Sequence, residues 1–219
     1  MQKKDPRLSV KAYEWIKEAI LKNRFHEGEP LSENRLAQEL DISRTPVREV
    51  LRQLEREGFV RLVPGKGAFV AEISLEDVKE IYEIRVHLEP LAARSAVHRI
   101  TEGEIDELQA GWKALLEKIE AGETAPWGEL NDLDGRFHSL IVARTANGRL
   151  RQILETFFSQ IQRFQLLSAR SLADARNSVG QHLEILEALR NRDEEVLHEL
   201  LTRHIRQSER YIFERYLKP

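Results

Sequence analysis

Two groups of residues have types and spacings that can do chemistry. The first begins with Asp134 and His138 in LNDLDGRFHSL. Four residues apart on a helix, they share a face and can hold one metal ion from a single element. Two later segments can each add an imidazole. His182 lines up with the apolar Ile185, Leu186 and Leu189, and His204 with Leu197, Leu200, Leu201 and Tyr211. Imidazole combined with carboxylate suits Zn, Ni, Mn or Fe. The plainer alternative makes the histidines hydrogen-bonded core residues and Asp134 a cap or ion-pair member, and spacing alone leaves both open. The second group is SRTPVREVLRQLEREG, with arginine at 44, 48, 52 and 56. At four-residue steps a helix turns only about 40° past each full revolution, so the four cations form one slowly turning stripe. Val47, Val50, Leu51 and Leu54 lie between them and face a core.

The elements that must position these groups follow from periodicity and punctuation. A helix is expected over 9–23, where Val10, Tyr13, Ile16, Ile20 and Leu21 recur at helical spacing. A short helix over 32–40 has Ser32 as N-cap. After the turn DIS, Ser43 is placed to cap a helix over 44–57 that Gly58 stops. Pro46 falls in its first turn, where a missing N–H costs nothing. Phe59–Val63 and Ala68–Ile73 flank PGKG as a β-hairpin. Beyond this, Ser74 with Asp77 and Thr101 with Glu104 spell capping boxes. Six amphipathic helices are expected, at about 75–98, 102–121, 126–146, 149–168, 171–190 and 193–217. The predicted fold is mostly α: an N-terminal winged helix-turn-helix over 1–73 and a C-terminal all-α bundle over 74–219.

Bulk properties narrow the classes. The chain has 219 residues and no cysteine, which excludes disulfides, thiolate metal sites and cysteine nucleophiles. The opening MQKKDPRLSV is charged and broken by Pro6, so no signal peptide is expected. With no apolar run near the length of a membrane span, the expectation is a cytoplasmic protein without a membrane partner. Residues 1–73 hold 14 Lys+Arg against 12 Asp+Glu, whereas the remainder holds 20 against 25. A mildly basic head on an acidic body suits a DNA-binding module joined to another function.

Helix, short turn, helix, hairpin is the order of a winged helix-turn-helix, whose second helix enters the major groove. Arg44 and Arg48 lie at the end that reaches base edges, and arginine can bond guanine bidentately. Arg52 and Arg56 read instead as a solvated face paired with Glu49 or Glu55. LSENRLAQELDISRTPVREVLRQLEREGFVRLVPGKGAFV resembles the DNA-binding domain of the GntR family of bacterial transcription regulators. That resemblance implies DNA contacts from Arg44, Thr45 and Arg48, a wing shaped by Gly65 and Gly67, and Lys66 at its tip. Some family members contact DNA with an arginine where this chain has Asn34, with Arg35 next to it, so either residue is a candidate.

The C-terminal stretches LNDLDGRFHSLIVARTANGRL and GQHLEILEALRNRDEEVLHELLTRHI resemble the FCD ligand-sensing domain of the FadR subfamily, in its shorter VanR-like form. The resemblance implies a divalent metal on Asp134, His138, His182 and His204. His26, His87, His98 and His198 have no such support and read as surface or structural. Arg85, in IYEIRVHLEP, shares a face with Ile81, Leu88 and Ala92, and an inward arginine requires an anion. Glu89 or Asp132 can supply it. The resemblance implies instead a small organic-acid effector, and a homodimer reading a pseudo-palindromic operator. Two rival readings stand beside this one: a DNA-binding regulator whose metal is purely structural, and a metal-dependent hydrolase.

Overall fold

The computed structural model describes residues 6–72, 74–122, 127–167 and 172–217, and these form two compact units, Met1–Ser74 and Leu75–Pro219. The N-terminal unit contains α1 (Pro6–Leu21), β1 (Pro30–Leu31), α2 (Glu33–Glu39), α3 (Arg44–Arg56), β2 (Val60–Val63) and β3 (Gly67–Val70). The second contains α4 (Leu75–Ala96), α5 (Glu102–Glu120), α6 (Trp127–Arg144), α7 (Gly148–Leu167), α8 (Leu172–Arg190) and α9 (Glu194–Leu217).

In the first unit, Ile16, Leu36, Val47, Leu51, Leu54 and Phe59 are buried together, so α1, α2, α3 and the hairpin share one core. Helix α1 starts three residues earlier than expected because Pro6, which lacks an N–H, suits the first turn. Asn23, at φ 54°, marks the chain reversal beyond its end. Ser32 caps α2 by accepting from the Arg35 N–H. Ser43 also holds the extended N-cap backbone, but its side chain makes no capping hydrogen bond, which corrects the expectation. The expected hairpin forms, with Val60 opposite Val70 and Val63 opposite Gly67. Gly65 (φ 74°) and Gly67 (φ 101°) adopt left-handed backbone that other residues rarely tolerate. Strand β1 lies outside the expected elements; it pairs Pro30 with Phe69 and Leu31 with Ala68 to make a three-stranded sheet of order β1-β3-β2. Two residues are too short to show any alternation.

The six expected bundle helices are all present. Thr101 and Glu104 form a complete capping box at the start of α5. The expected ends at Ile73, Pro126, Ser168 and Ser171 lie outside the described residues. Helix α4 runs against α9, where Tyr82 and Ser208 hydrogen-bond at 3.1 Å inside the core. Helices α5 and α6 approach so closely that a Cβ at Gly111 would sit 2.7 Å from Leu133 Cδ2. Among the described residues, no helix is long and apolar enough to cross a membrane.

Candidate functional site

On α3 the burial pattern divides as the sequence suggested. Val47, Val50, Leu51 and Leu54 are buried, while Arg44, Thr45, Arg48, Arg52 and Arg56 are exposed. The cations at the N-terminal end are not left to solvent, however. Arg48 makes a bidentate pair with Glu33 of α2, Nε to Oε1 at 2.9 Å and Nη2 to Oε2 at 2.8 Å. Arg44 Nη2 donates to the same carboxylate at 3.4 Å. Hydrogen bonding from Arg48 holds the Glu33 carboxyl below its ordinary range. Glu33 was not singled out from sequence, because a contact spanning fifteen residues leaves no local signal. Arg35 is paired with Glu39 at 2.9 Å, one turn along α2, and Asn34 beside it is exposed. Glu55, expected to face an arginine, instead accepts from the Leu62 N–H at 3.1 Å. Lys66 is exposed at the hairpin tip between Gly65 and Gly67. A groove of about 430 Å³ runs between α3 and the hairpin, lined in part by Arg48, Arg52, Gly65 and Gly67.

In the bundle, Asp134 and His138 of α6, His182 of α8 and His204 of α9 converge. All four are buried, and one ligand atom from each lies within 4.8 Å of the other three. His26, His87, His98 and His198 are exposed and take no part. The orientation of the three rings is set from outside the cluster. Nδ1 of His182 lies 2.8 Å from the Ser178 carbonyl, Nδ1 of His204 lies 3.0 Å from Gln181 Oε1, and Nδ1 of His138 lies 2.5 Å from Glu89 Oε2. A carbonyl, an amide oxygen and a carboxylate can only accept, so each Nδ1 carries a proton, and in the neutral rings that metal ligation requires each Nε2 turns its lone pair inward. Trp112 of α5 stacks on the His182 ring, with centroids 4.0 Å apart and planes 16° apart.

The inward atoms are therefore all acceptors. His138 Nε2 is 3.3 Å from His204 Nε2. Asp134 Oδ1 is 3.4 Å from His182 Nε2 and 3.7 Å from His204 Nε2. Burial drives the His204 imidazole well below its ordinary pKa and lowers that of His182, which keeps both rings neutral. Burial opposes ionisation of Asp134, yet its carboxyl is held well below its usual range and faces the cluster as an anion. Lone pairs facing lone pairs in a dry interior repel unless a cation lies between them. Metal–nitrogen bonds of about 2.0–2.1 Å at tetrahedral angles would place ligand atoms about 3.4 Å apart, close to these three separations within a set that spans up to 4.8 Å. The donor set thus fits a divalent metal.

Arg85 of α4 is fully buried beside this cluster. Its Nε donates to Glu89 Oε1 at 2.5 Å, and its guanidinium lies 4.7 Å from the centre of the Tyr82 ring. Of the two carboxylates expected to compete for it, Glu89 holds it and Asp132 is exposed. Nη1 of Arg85 is buried with no hydrogen-bond partner among the described residues. Arg85 borders a narrow cleft shared with Asp134, His138, Ser139, Phe158 and Ile161, whose open volume is about 10 Å³. That is room for about one water, so a carboxylate entering the cleft must displace Phe158 or Ile161.

A winged helix-turn-helix with a cationic recognition face, on the same chain as a helical bundle enclosing a ligand-competent polar cluster, defines a DNA-binding regulator with a sensory domain. Residues 8–70 match the family described as bacterial regulatory proteins, gntR family, and residues 80–207 match the FCD domain. The Nta operon transcriptional regulator of Aminobacter aminovorans is 35% identical over 181 residues, covering 83% of each chain. The HTH-type transcriptional repressor GlaR of Escherichia coli is 30% identical over 205 residues, covering 90% of this chain and 92% of that one. The solved structure of E. coli McbR/YncC has the same fold, with a TM-score of 0.78 at 24% identity over 95% of this chain and 98% of that one. The chain belongs to the gntR family and carries an FCD domain. It is a transcription regulator and not an enzyme, so the hydrolase reading is set aside.

Proposed function

We propose that this regulator binds a pseudo-palindromic operator as a homodimer and that a small carboxylate, meeting a divalent metal in the bundle, controls its affinity for DNA. Residues 1–73 would read the operator and residues 74–219 would sense the effector and dimerise. The observation that carries the reading is the convergence of four acceptors in a dry pocket beside a buried guanidinium with an unsatisfied N–H. Asp134, His138, His182 and His204 would hold Zn, Ni, Mn or Fe, which supplies a Lewis-acidic position for an acid's oxygen. Arg85 Nη1 would take the carboxylate's other oxygen. In the N-terminal unit, the exposed Arg44, Thr45 and Arg48 would read bases, with Asn34 or Arg35 and the Gly65–Lys66–Gly67 tip on the backbone or minor groove. Dimerisation is supported by Ile84 and Leu91, exposed seven residues apart on one face of α4.

The test combines metal analysis of the purified chain with melting temperatures across mono-, di- and tricarboxylates, before and after chelation. Under this reading the protein contains one metal per chain, and one acid raises the melting point only while the metal is present. A melting point that falls on chelation yet ignores every acid would favour a purely structural metal. Three of the acceptor separations, at 3.3–3.7 Å, are near those of a closed tetrahedral shell, which keeps that second reading alive. Protein that carries no metal and takes none up would refute both.

A further inference from the structure

Glu89 belongs to neither the four-residue cluster nor the anion subsite, yet it touches both. Its two oxygens serve different partners. Oε1 accepts from Arg85 Nε and Oε2 from His138 Nδ1, each at 2.5 Å, and all three side chains are buried. Of the three imidazoles, His182 and His204 lean on neutral acceptors, the Ser178 carbonyl and the Gln181 amide. Of the three, His138 is the one whose Nδ1 leans on a carboxylate.

We propose that Glu89 is a positioning residue that couples the anion subsite at Arg85 to the metal site at His138, so that each ligand tightens the other. The proposal rests on the reading of the cluster as a metal site. A carboxylate on the far nitrogen of a ligating imidazole fixes the tautomer and makes Nε2 a stronger donor; loss of such a partner typically weakens metal binding 10–100-fold. Glu89 has only one negative charge to divide between the guanidinium and the imidazole. While the cleft is empty, Arg85 draws on that charge through Nε and has Nη1 to spare. An anion on Nη1 gives the guanidinium a second counter-charge and loosens its hold on Oε1. Oε2 then polarises His138 Nδ1–H more strongly, and Nε2 binds metal more tightly. Thermodynamic linkage requires the metal to tighten the anion by the same factor, which for coupled sites is usually about 5–150-fold.

Glu89→Gln keeps the shape and breaks the relay whichever way the amide settles. With its oxygen toward His138, its NH2 opposes the Arg85 donor. With its NH2 toward His138, Nδ1 must accept, so Nε2 carries the proton and cannot ligate. Because this variant leaves Arg85 without a counter-charge, the double variant Arg85→Met/Glu89→Gln accompanies it, removing both charges at similar volume. Zinc affinity is measured on the full chain by competition with a chromophoric chelator, with and without acetate at constant ionic strength, and circular dichroism reports folding. The expected result is zinc binding 10–100-fold weaker in the folded double variant, together with an acetate-dependent tightening in the wild type that both variants lack. A folded double variant that binds zinc as tightly as the wild type, or responds to acetate equally, would overturn the coupling and leave the metal site standing. Failure of the wild type to bind zinc would overturn the metal reading and the coupling together.

Discussion

His204→Leu separates a metal ligand from a core histidine, because the two roles predict opposite effects of chelation. In chelated protein the substitution removes one hydrogen bond, Nδ1 to Gln181 Oε1, worth about 1 kcal/mol. It also removes the confrontation of His204 Nε2 with His138 Nε2 at 3.3 Å and with Asp134 Oδ1 at 3.7 Å, and places apolar atoms in a fully buried site. These changes offset one another, and chelated variant and chelated wild type are expected to melt within about 4 °C of each other, using about 2–4 °C per kcal/mol for a chain of this size. The metal-loaded proteins should differ far more. Metal at 100 times its dissociation constant contributes about 2.7 kcal/mol, or about 5–11 °C, and the variant loses most of this. The assay is a thermal melt of both proteins with zinc and with chelator, alongside metal stoichiometry by mass spectrometry. If zinc raises the melting point of His204→Leu as much as that of the wild type, His204 is not a ligand. If the chelated variant melts more than about 10 °C below the chelated wild type, His204 is a structural core residue.

Arg48→Ala is expected to weaken binding to an operator selected from random duplexes by about 1–3 kcal/mol and to relax preference at one base pair, as read by fluorescence anisotropy on mutated sites; unchanged affinity would refute the docking of α3. Glu33→Gln should do the reverse to background binding, since it removes the carboxylate that neutralises Arg44 and Arg48; affinity for random duplex DNA should rise and its dependence on salt steepen, and identical salt slopes would refute the masking role. For chelated protein, His182 and His204 titrate lower in the folded chain than the ordinary 6.5, so the unfolded chain binds more protons below that pH. Their contribution is complete above about pH 6.5 and is lost as the pH falls below it. Asp134 and Glu89, the latter held at about 2, add a second loss as the pH drops below about 4.5. A melting point that is flat from pH 7 to pH 4 would contradict these shifts.

The readable parts of the molecule are those whose signal is local. Val47, Val50, Leu51 and Leu54 recur at the helical period, and Thr101 with Glu104 is a capping box written in four letters. Strand β1 escaped notice because Pro30 and Leu31 acquire meaning only opposite Phe69 and Ala68. The limit is the same at the sites. Asp134 and His138 can be paired from their spacing, since one helix fixes their geometry. Nothing local brings His182 and His204 to the same point, which depends on how α6, α8 and α9 pack; their inward faces made them candidates, and the family resemblance implied the four as a set. Glu33 and Trp112 act across elements and left no mark in the linear pattern. Glu89 was visible as a partner of Arg85 four residues away, but its second bond, to His138 on another helix, was not.

The stack of Trp112 on His182 gives the bundle an optical property. Trp15 lies in the other unit and Trp127 begins α6, so Trp112 is the indole held ring-to-ring with an imidazole of the cluster. A closed-shell ion bound to that imidazole leaves the excited indole free to emit, whereas an open-shell ion opens paths for energy or electron transfer at van der Waals distance. With a metal in the cluster, the emission lifetime of Trp112 would therefore distinguish zinc from nickel, manganese or iron in the intact protein, without extracting the metal or attaching a label.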